Sequence, residues 1–269
     1  MSTDLAAYLE RIGVDGPVAP DRVTLARIAA AHPASIPFEG VDGLLGQPVI
    51  LDHEALMAKL VHGGRGGFCF EHNLLLRAML EEIGFVVTSL GARVLWHHGP
   101  DVPSGLTHML LRVDLPEAPV IVDAGFGGNT LTGVLDLVSD CDQPTPHERF
   151  RLTRDGAYWV QWVGIGDTWR ATYRFTLEPM HRPDQELGSW YMSTNPRSHL
   201  VHGLTCARAL PGRRLALRNY DLATHHANGE TERQQLGDAQ AVCDVVETLF
   251  DIHLPDPSAL RRRLEQGIA

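Results

Sequence analysis

The chain of 269 residues is 44% hydrophobic, 21% charged and 7% aromatic, which excludes a disordered, collagen-like or disulfide-stapled miniature protein. Its 23 basic and 33 acidic side chains leave a net charge of −10, so nucleic acid is a disfavoured partner.

Asp4 is expected to cap a first helix, in which Leu5, Tyr8, Leu9 and Ile12 fall at helical spacing before Gly13. Asp21 to Ala31 repeats the pattern and is expected to end at His32-Pro33. Ile36-Pro37-Phe38 reads as an extended loop carrying an aromatic. Asp52 opens a third helix with Leu56, Leu60 and Val61 on its apolar side, and Gly63-Gly64 closes it. A fourth helix runs from about Cys69 to Ile83 and stops at Gly84.

From Phe85 the texture changes to short β-branched runs: Phe85 to Thr88, Thr107 to Leu115, Val120 to Asp123, Arg149 to Thr153, Tyr158 to Val163 and Trp169 to Phe175. Turns at Asp155-Gly156 and Gly164 to Asp167 predict an antiparallel meander or small barrel. Further on, two strands flank Pro211-Gly212 and a turn sits at Asn228-Gly229. Asp238 then caps a helix presenting Ala241, Val242, Val245, Val246 and Leu249 on one face. Arg261-Arg262-Arg263 reads as the cationic end of a last helix, complementing its dipole. The coarse expectation is an α+β chain with a helical part at 1–85, a β part at 86–190 and an α/β part at 191–269.

Four cysteines, at 69, 141, 206 and 243, lack the spacing of a zinc site or redox pair. No apolar run approaches the roughly 20 residues that cross a bilayer. The first residues lack the layout of a signal peptide. A cytoplasmic protein with free thiols and no membrane partner is therefore expected. The sequence sets no oligomeric state.

The most unusual segment runs from Gly63 to Asn73, where four glycines precede a cysteine that begins a strongly helical run. A helix N-terminus presents unpaired N–H groups and partial positive charge, which favour thiolate over thiol. Glycines let the backbone turn tightly and let a substrate approach the sulfur. Cys69 is thus a candidate nucleophile; a buried structural cysteine is the bland alternative, and a Cys69–His72 metal pair lacks two further ligands.

A reactive cysteine needs a base, and the base an orienting group. His108 lies on a strand whose Met109, Leu111 and Val113 share one face, so it points to the other. Asp123 ends the apolar run Val120 to Val122, and an acidic residue there costs desolvation unless partnered. His108 and Asp123 on adjacent strands would satisfy each other; alternatively Asp123 caps the turn Ala124 to Gly128.

Arg65-Gly66-Gly67-Phe68-Cys69-Phe70-Glu71-His72-Asn73, Thr107-His108 and Val122-Asp123-Ala124-Gly125-Phe126-Gly127 together resemble the arylamine N-acetyltransferase family. Tyr8-Leu9-Glu10-Arg11-Ile12-Gly13 and Ile36-Pro37-Phe38-Glu39 resemble it too. The matches keep the family's order over the first half, while the second half agrees only in layout.

The resemblance implies a helical first domain, a β-barrel second domain and an α/β third domain acting as a lid. It implies a papain-like Cys69, His108, Asp123 triad that uses acetyl-coenzyme A, without metal, to acetylate aromatic amines or hydrazines. Coenzyme A binding is then expected at Ser104, Thr107, Gly125, Gly127 and Gly128, and the acceptor against Phe38, Phe126 and Leu200. Two departures bear on acceptor preference: Gly40 stands where asparagine is usual, and Leu200 where an aromatic is common. A transglutaminase-like thiol hydrolase and a non-catalytic small-molecule binding module are the alternatives.

Overall fold

The computed structural model describes residues 2–96 and 102–267. The first helix, α1 (Thr3–Ile12), is capped by Ser2, whose Oγ accepts the Leu5 N–H at 3.1 Å. Asp4, expected in that role, lies inside the first turn and pairs with His53 instead. A cap accepts from the N–H two or three residues on, and only Ser2 stands outside the helix to do so. Asp21 caps α2 (Arg22–Ser35), which runs through Pro33 and past the expected stop. Proline removes one backbone bond near the helix end, but the Ile36 N–H still reaches the His32 carbonyl at 2.8 Å and holds the last turn.

Phe38, expected in an extended loop with Ile36 and Pro37, begins a short strand β1 (Phe38–Glu39), followed by an unanticipated turn of helix, α3 (Val41–Leu44). The third helix begins as α4 (His53–Leu56) and widens into π-helical turns at Met57–His62. Asp52 stands at its cap position but makes no capping bond; its Oδ1 accepts from Arg182 at 2.8 Å. Then α5 (Cys69–Ile83) begins on Cys69 and closes on Gly84 at φ +110°.

The middle of the chain forms an eight-stranded antiparallel sheet. Its strands are β2 (Val86–Val94), β3 (Leu106–Asp114), β4 (Pro119–Val122), β5 (Leu135–Asp136), β6 (Asp142–Pro144), β7 (Arg149–Asp155), β8 (Tyr158–Ile165) and β9 (Thr168–Pro179). The order β5-β4-β3-β2-β9-β8-β7-β6 wraps into a nearly closed barrel. A side chain bridges the two edge strands: the Gln143 amide accepts the Asp136 N–H at 2.7 Å and donates to its carbonyl at 3.0 Å. Along β3 the pleat sends Met109, Leu111 and Val113 onto the core shared with α5, and Leu110 into the barrel beside Leu90 and Phe150.

The last part carries α6 (Arg182–Thr194), α7 (His199–His202), β10 (Thr205–Leu210), β11 (Arg213–Arg218), β12 (Asp221–His226), β13 (Thr231–Gln235), α8 (Ala239–Thr248) and α9 (Pro257–Glu265). Helix α6 runs through residue 190, where the sequence reading ends the β part. The sheet order is β1-β10-β11-β12-β13, so its first strand comes from the helical part. Helix α8 is capped by Asp238 as expected and buries Ala239, Val242, Cys243 and Val246. Leu249 departs from expectation: it is 41% exposed, because the helix ends there and Phe250 takes the buried place. The three parts form one α+β architecture. Among the described residues, no helix is long and apolar enough to cross a membrane.

Candidate active site

Cys69 is the first residue of α5 and is nearly buried. The glycine loop before it is dictated by close approach. A Cβ on Gly66 would lie 1.9 Å from the Pro37 carbonyl oxygen, and one on Gly125 would lie 2.6 Å from Cys69 Cα. No side chain fits at either position. Glu71 reaches back so that its Oε2 accepts the Phe68 N–H at 3.0 Å, which fixes the helix start under the sulfur.

Strand β3 brings His108 to this helix start, and the end of β4 brings Asp123. His108 Nε2 and Asp123 Oδ2 are 2.7 Å apart and both groups are buried. The Cys69 thiol is close enough to the imidazole to favour its protonated form. Burial alone would depress the imidazolium, but the Asp123 charge and hydrogen bond, with Cys69 opposite, push it up to about 10. Burial likewise opposes the Asp123 carboxylate, yet His108, Asn73 and the Gly125 N–H hold it below the ordinary value. The ring of His108 is further enclosed by Phe126 at 5.1 Å and Tyr173 at 4.8 Å.

Other expected contacts divide. Phe126 stands edge-on to His108 and so lines the triad, while Phe38 lies parallel to His72 and borders Gly127. The Thr107 carbonyl accepts from Cys69 Sγ at 3.7 Å. The Gly125 N–H donates to Asp123 Oδ1 at 2.9 Å and is therefore not free for a phosphate; the glycine is required for close packing on Cys69. Gly127 turns the backbone at φ +69°, and Gly128 opens onto space. Ser104 Oγ is buried without a hydrogen-bond partner among the described residues. Leu200 is 1% exposed and packs in the helical core, close to Gly40 and Gly43. A Cβ on Gly40 would lie 2.8 Å from Leu200 Cδ2, so the two departures noted in the sequence fill one another's space.

Several residues with clear tasks escaped the sequence reading. Asn73 Nδ2 donates to the Cys69 carbonyl at 3.2 Å, the Met109 carbonyl at 2.7 Å and Asp123 Oδ1 at 3.0 Å, while its Oδ1 accepts the Ala124 N–H. The four-residue step from Cys69 places both on one helix face, which was a readable signal. A buried charge chain braces the glycine loop: Arg65 bonds Glu39 and Asp42, and Lys59 bonds Asp42 and Glu71, each at 2.6 to 2.8 Å. Burial disfavours Lys59 and Arg65 as cations, but the surrounding carboxylates hold both above their ordinary values. Arg65 and Glu71 lay inside the unusual segment; their partners became visible only with the fold. His72 has both ring nitrogens hydrogen-bonded, to His32 and to Pro37, so neither is free to ligate a metal.

A cysteine at a helix start, an imidazole beside it and a carboxylate behind the imidazole define the thiol acyl-transfer class of site. Residues 22–259 match the family described as N-acetyltransferase. The arylamine N-acetyltransferase of Mycolicibacterium smegmatis is 47% identical over 95% of this chain and 94% of its own. That of Escherichia coli is 38% identical over 95% and 91%. The solved Mycobacterium marinum arylamine N-acetyltransferase superposes with a TM-score of 0.95 at 38% identity, covering 98% of this chain and 100% of the other. The chain belongs to the arylamine N-acetyltransferase family and is an acyltransferase. Hydrolase and binding-module alternatives are thereby set aside.

Proposed function

We propose that this enzyme moves the acetyl group of acetyl-coenzyme A to the nitrogen of an aromatic amine or hydrazine by a ping-pong route through acetyl-Cys69. The observation that carries the reading is the 2.7 Å His108–Asp123 pair set against a cysteine at a helix start. The names of the relatives support the acceptor class, and a Mycobacterium marinum relative solved in complex with CoA, at a TM-score of 0.94, supports the donor. Two features suit that donor: Ser104 Oγ is a buried hydroxyl without a partner among the described residues, and Gly128 borders open space. We assign Ser104, Thr107, Gly127 and Gly128 to it, and the 191–269 segment to a lid over the site.

In the first half-reaction, His108 takes the thiol proton, and the Cys69 thiolate attacks the acetyl carbonyl. The first-turn N–H groups of α5 bind the developing oxyanion. The bond to the coenzyme A sulfur breaks, and the proton on His108 goes to that leaving thiolate. In the second, the amine attacks acetyl-Cys69, His108 removes its proton, and the Cys69 sulfur departs with it. Asp123 keeps the His108 proton on Nε2 and stabilises the imidazolium. Phe38 and Phe126 face the aromatic acceptor.

Cys69, Cys141, Cys206 and Cys243 are all unpaired, which supports a reducing compartment such as the cytoplasm. The test is incubation with acetyl-coenzyme A without amine, followed by mapping of the adduct by mass spectrometry. Acetyl on Cys69 is the expected result; acetyl on Cys141, Cys206 or Cys243 but absent from Cys69 ends the triad reading.

A further inference from the structure

One turn beyond Cys69, the same helix carries a histidine for which the transfer chemistry has no use. Tyr8, His32 and His72 each have 0% exposure. They form a continuous row: Tyr8 Oη to His32 Nδ1 at 2.8 Å, His32 Nε2 to His72 Nδ1 at 2.9 Å, and His72 Nε2 to the Pro37 carbonyl at 3.2 Å. Three helices, α1, α2 and α5, thus meet on the residue that precedes Phe38.

The row has one proton arrangement. A carbonyl oxygen only accepts, so His72 Nε2 bears the hydrogen. A neutral imidazole has one N–H, so His72 Nδ1 accepts and His32 Nε2 donates. His32 Nδ1 then accepts, and the Tyr8 hydroxyl donates. A proton added to either ring would turn an accepting nitrogen into a donor and break this order, and on His32 Nδ1 it would leave the Tyr8 hydroxyl without its acceptor. Burial, and for His32 the adjoining His72, holds His32 well below its ordinary value; burial brings His72 down to about 4 despite its backbone bonds. Both rings therefore stay neutral at physiological pH.

What this row holds is the crossing of two loops. The Pro37 carbonyl also takes the Gly67 N–H at 3.3 Å, and the Glu39 N–H donates to the Gly67 carbonyl at 2.8 Å. The His72 and Phe38 ring planes are 3° from parallel, with centroids 6.5 Å apart. A ring bonded at both nitrogens cannot flip, so it presents one fixed face toward Phe38.

We propose that His72 is a positioning residue for the acceptor side of the site: held at both nitrogens by His32 and Pro37, with Tyr8 behind, it pins the Pro37 carbonyl and thereby the Phe38 ring against which the aromatic amine lies. The proposal rests on the assignment of Phe38 to the acceptor made above.

Two measurements test it. In the parent protein with nitrogen-labelled histidine, His72 and His32 should both show protonated Nε2 and bare Nδ1 at neutral pH. A hydrogen on His72 Nδ1 overturns the proposal, and this arm holds whether or not Cys69 is acetylated. Second, His72→Phe keeps a ring of similar size but can neither accept nor donate, whereas His72→Gln can do both. The KM for a substituted aniline should rise at least about fivefold in His72→Phe and return to within about twofold of the parent in His72→Gln. The single-turnover rate of coenzyme A release should stay within about twofold in both. Equal losses in the two half-reactions, or a His72→Gln protein no better than His72→Phe, would assign His72 to helix support alone and defeat the proposal. Should His72→Phe not fold, the labelled parent and His72→Gln against His72→Asn, too short to span both partners, give the same decision.

Discussion

Asn73 and Asp123, far apart in sequence, meet at 3.0 Å, where the Asn73 amide donates to the carboxylate oxygen that His108 leaves free. The same amide holds the Cys69 and Met109 carbonyls, so the helix of the nucleophile and the strands of its partners share one side chain. Asn73→Ala should cost about 1–3 kcal/mol, because the Ala124 N–H and part of Asp123 are left buried without a partner. Asn73→Asp should cost more, since a second carboxylate would be buried against the first. Urea unfolding of the three proteins checks the order, and iodoacetamide should alkylate Cys69 more slowly in the folded variants.

Asp123→Asn should leave coenzyme A affinity nearly unchanged while slowing both acetylation and alkylation of Cys69. An amide can keep one hydrogen bond but favours the wrong tautomer, and in a serine triad that change costs about 10⁴-fold in rate. Cysteine is intrinsically more nucleophilic, so a smaller loss is expected here, with partial recovery in alkali. Parental alkylation kinetics across pH in a folded variant would leave Asp123 as a turn residue only.

The pair also predicts a pH signature in stability. The His108 value is raised from 6.5 to about 10, so its contribution is complete below about 6.5 and is lost as pH rises toward 10. The Asp123 value is lowered, so its contribution is present above the ordinary carboxylate range and is lost as pH falls through the folded value. The stability difference between parent and His108→Gln should therefore be largest between about pH 4 and 6.5 and shrink steadily toward pH 10. Denaturant midpoints at several pH values measure it; a difference that grows with alkali contradicts the assignment.

Gly40 and Leu200 should behave as a coupled pair. Gly40→Asn alone forces a side chain into Leu200, and overpacking of this kind costs about 1–3 kcal/mol. Leu200→Ala alone empties a buried site at about 2–5 kcal/mol. The double variant should be more stable than the sum predicts, by about 0.5–3 kcal/mol of coupling. A double-mutant cycle by thermal or urea unfolding decides, and strict additivity would mean that the two side chains do not share the space.

Much of this site was legible in the chain itself. Cys69 declared itself through the glycines and the helix onset, and His108 and Asp123 through a polar residue on an otherwise apolar strand. Alternation and helical spacing located most long elements, including the start of α5 on Cys69, but not α6 over Arg182–Thr194. What escaped had long-range causes. The strand at Phe38-Glu39 exists only because β10 pairs with it, with Phe38 opposite Ala207 and Glu39 opposite Cys206. The continuation of α2 through Pro33 depends on packing in the core. The packing of Leu200 beside Gly40 was hidden because the two lie 160 positions apart in the numbering.

Residues 38 and 39 also tie together the beginning and the end of the chain. The same two residues bridge to Gly67 on one side and to β10 on the other. A fragment that starts after them would leave one margin of the last sheet bare, its N–H and C=O groups ready to recruit another copy. During synthesis β1 can find its partner only once β10, which ends at Leu210, has been made. The last sheet thus borrows its margin from the first part of the chain, and the polypeptide closes on itself at Gly67, two residues before the nucleophile.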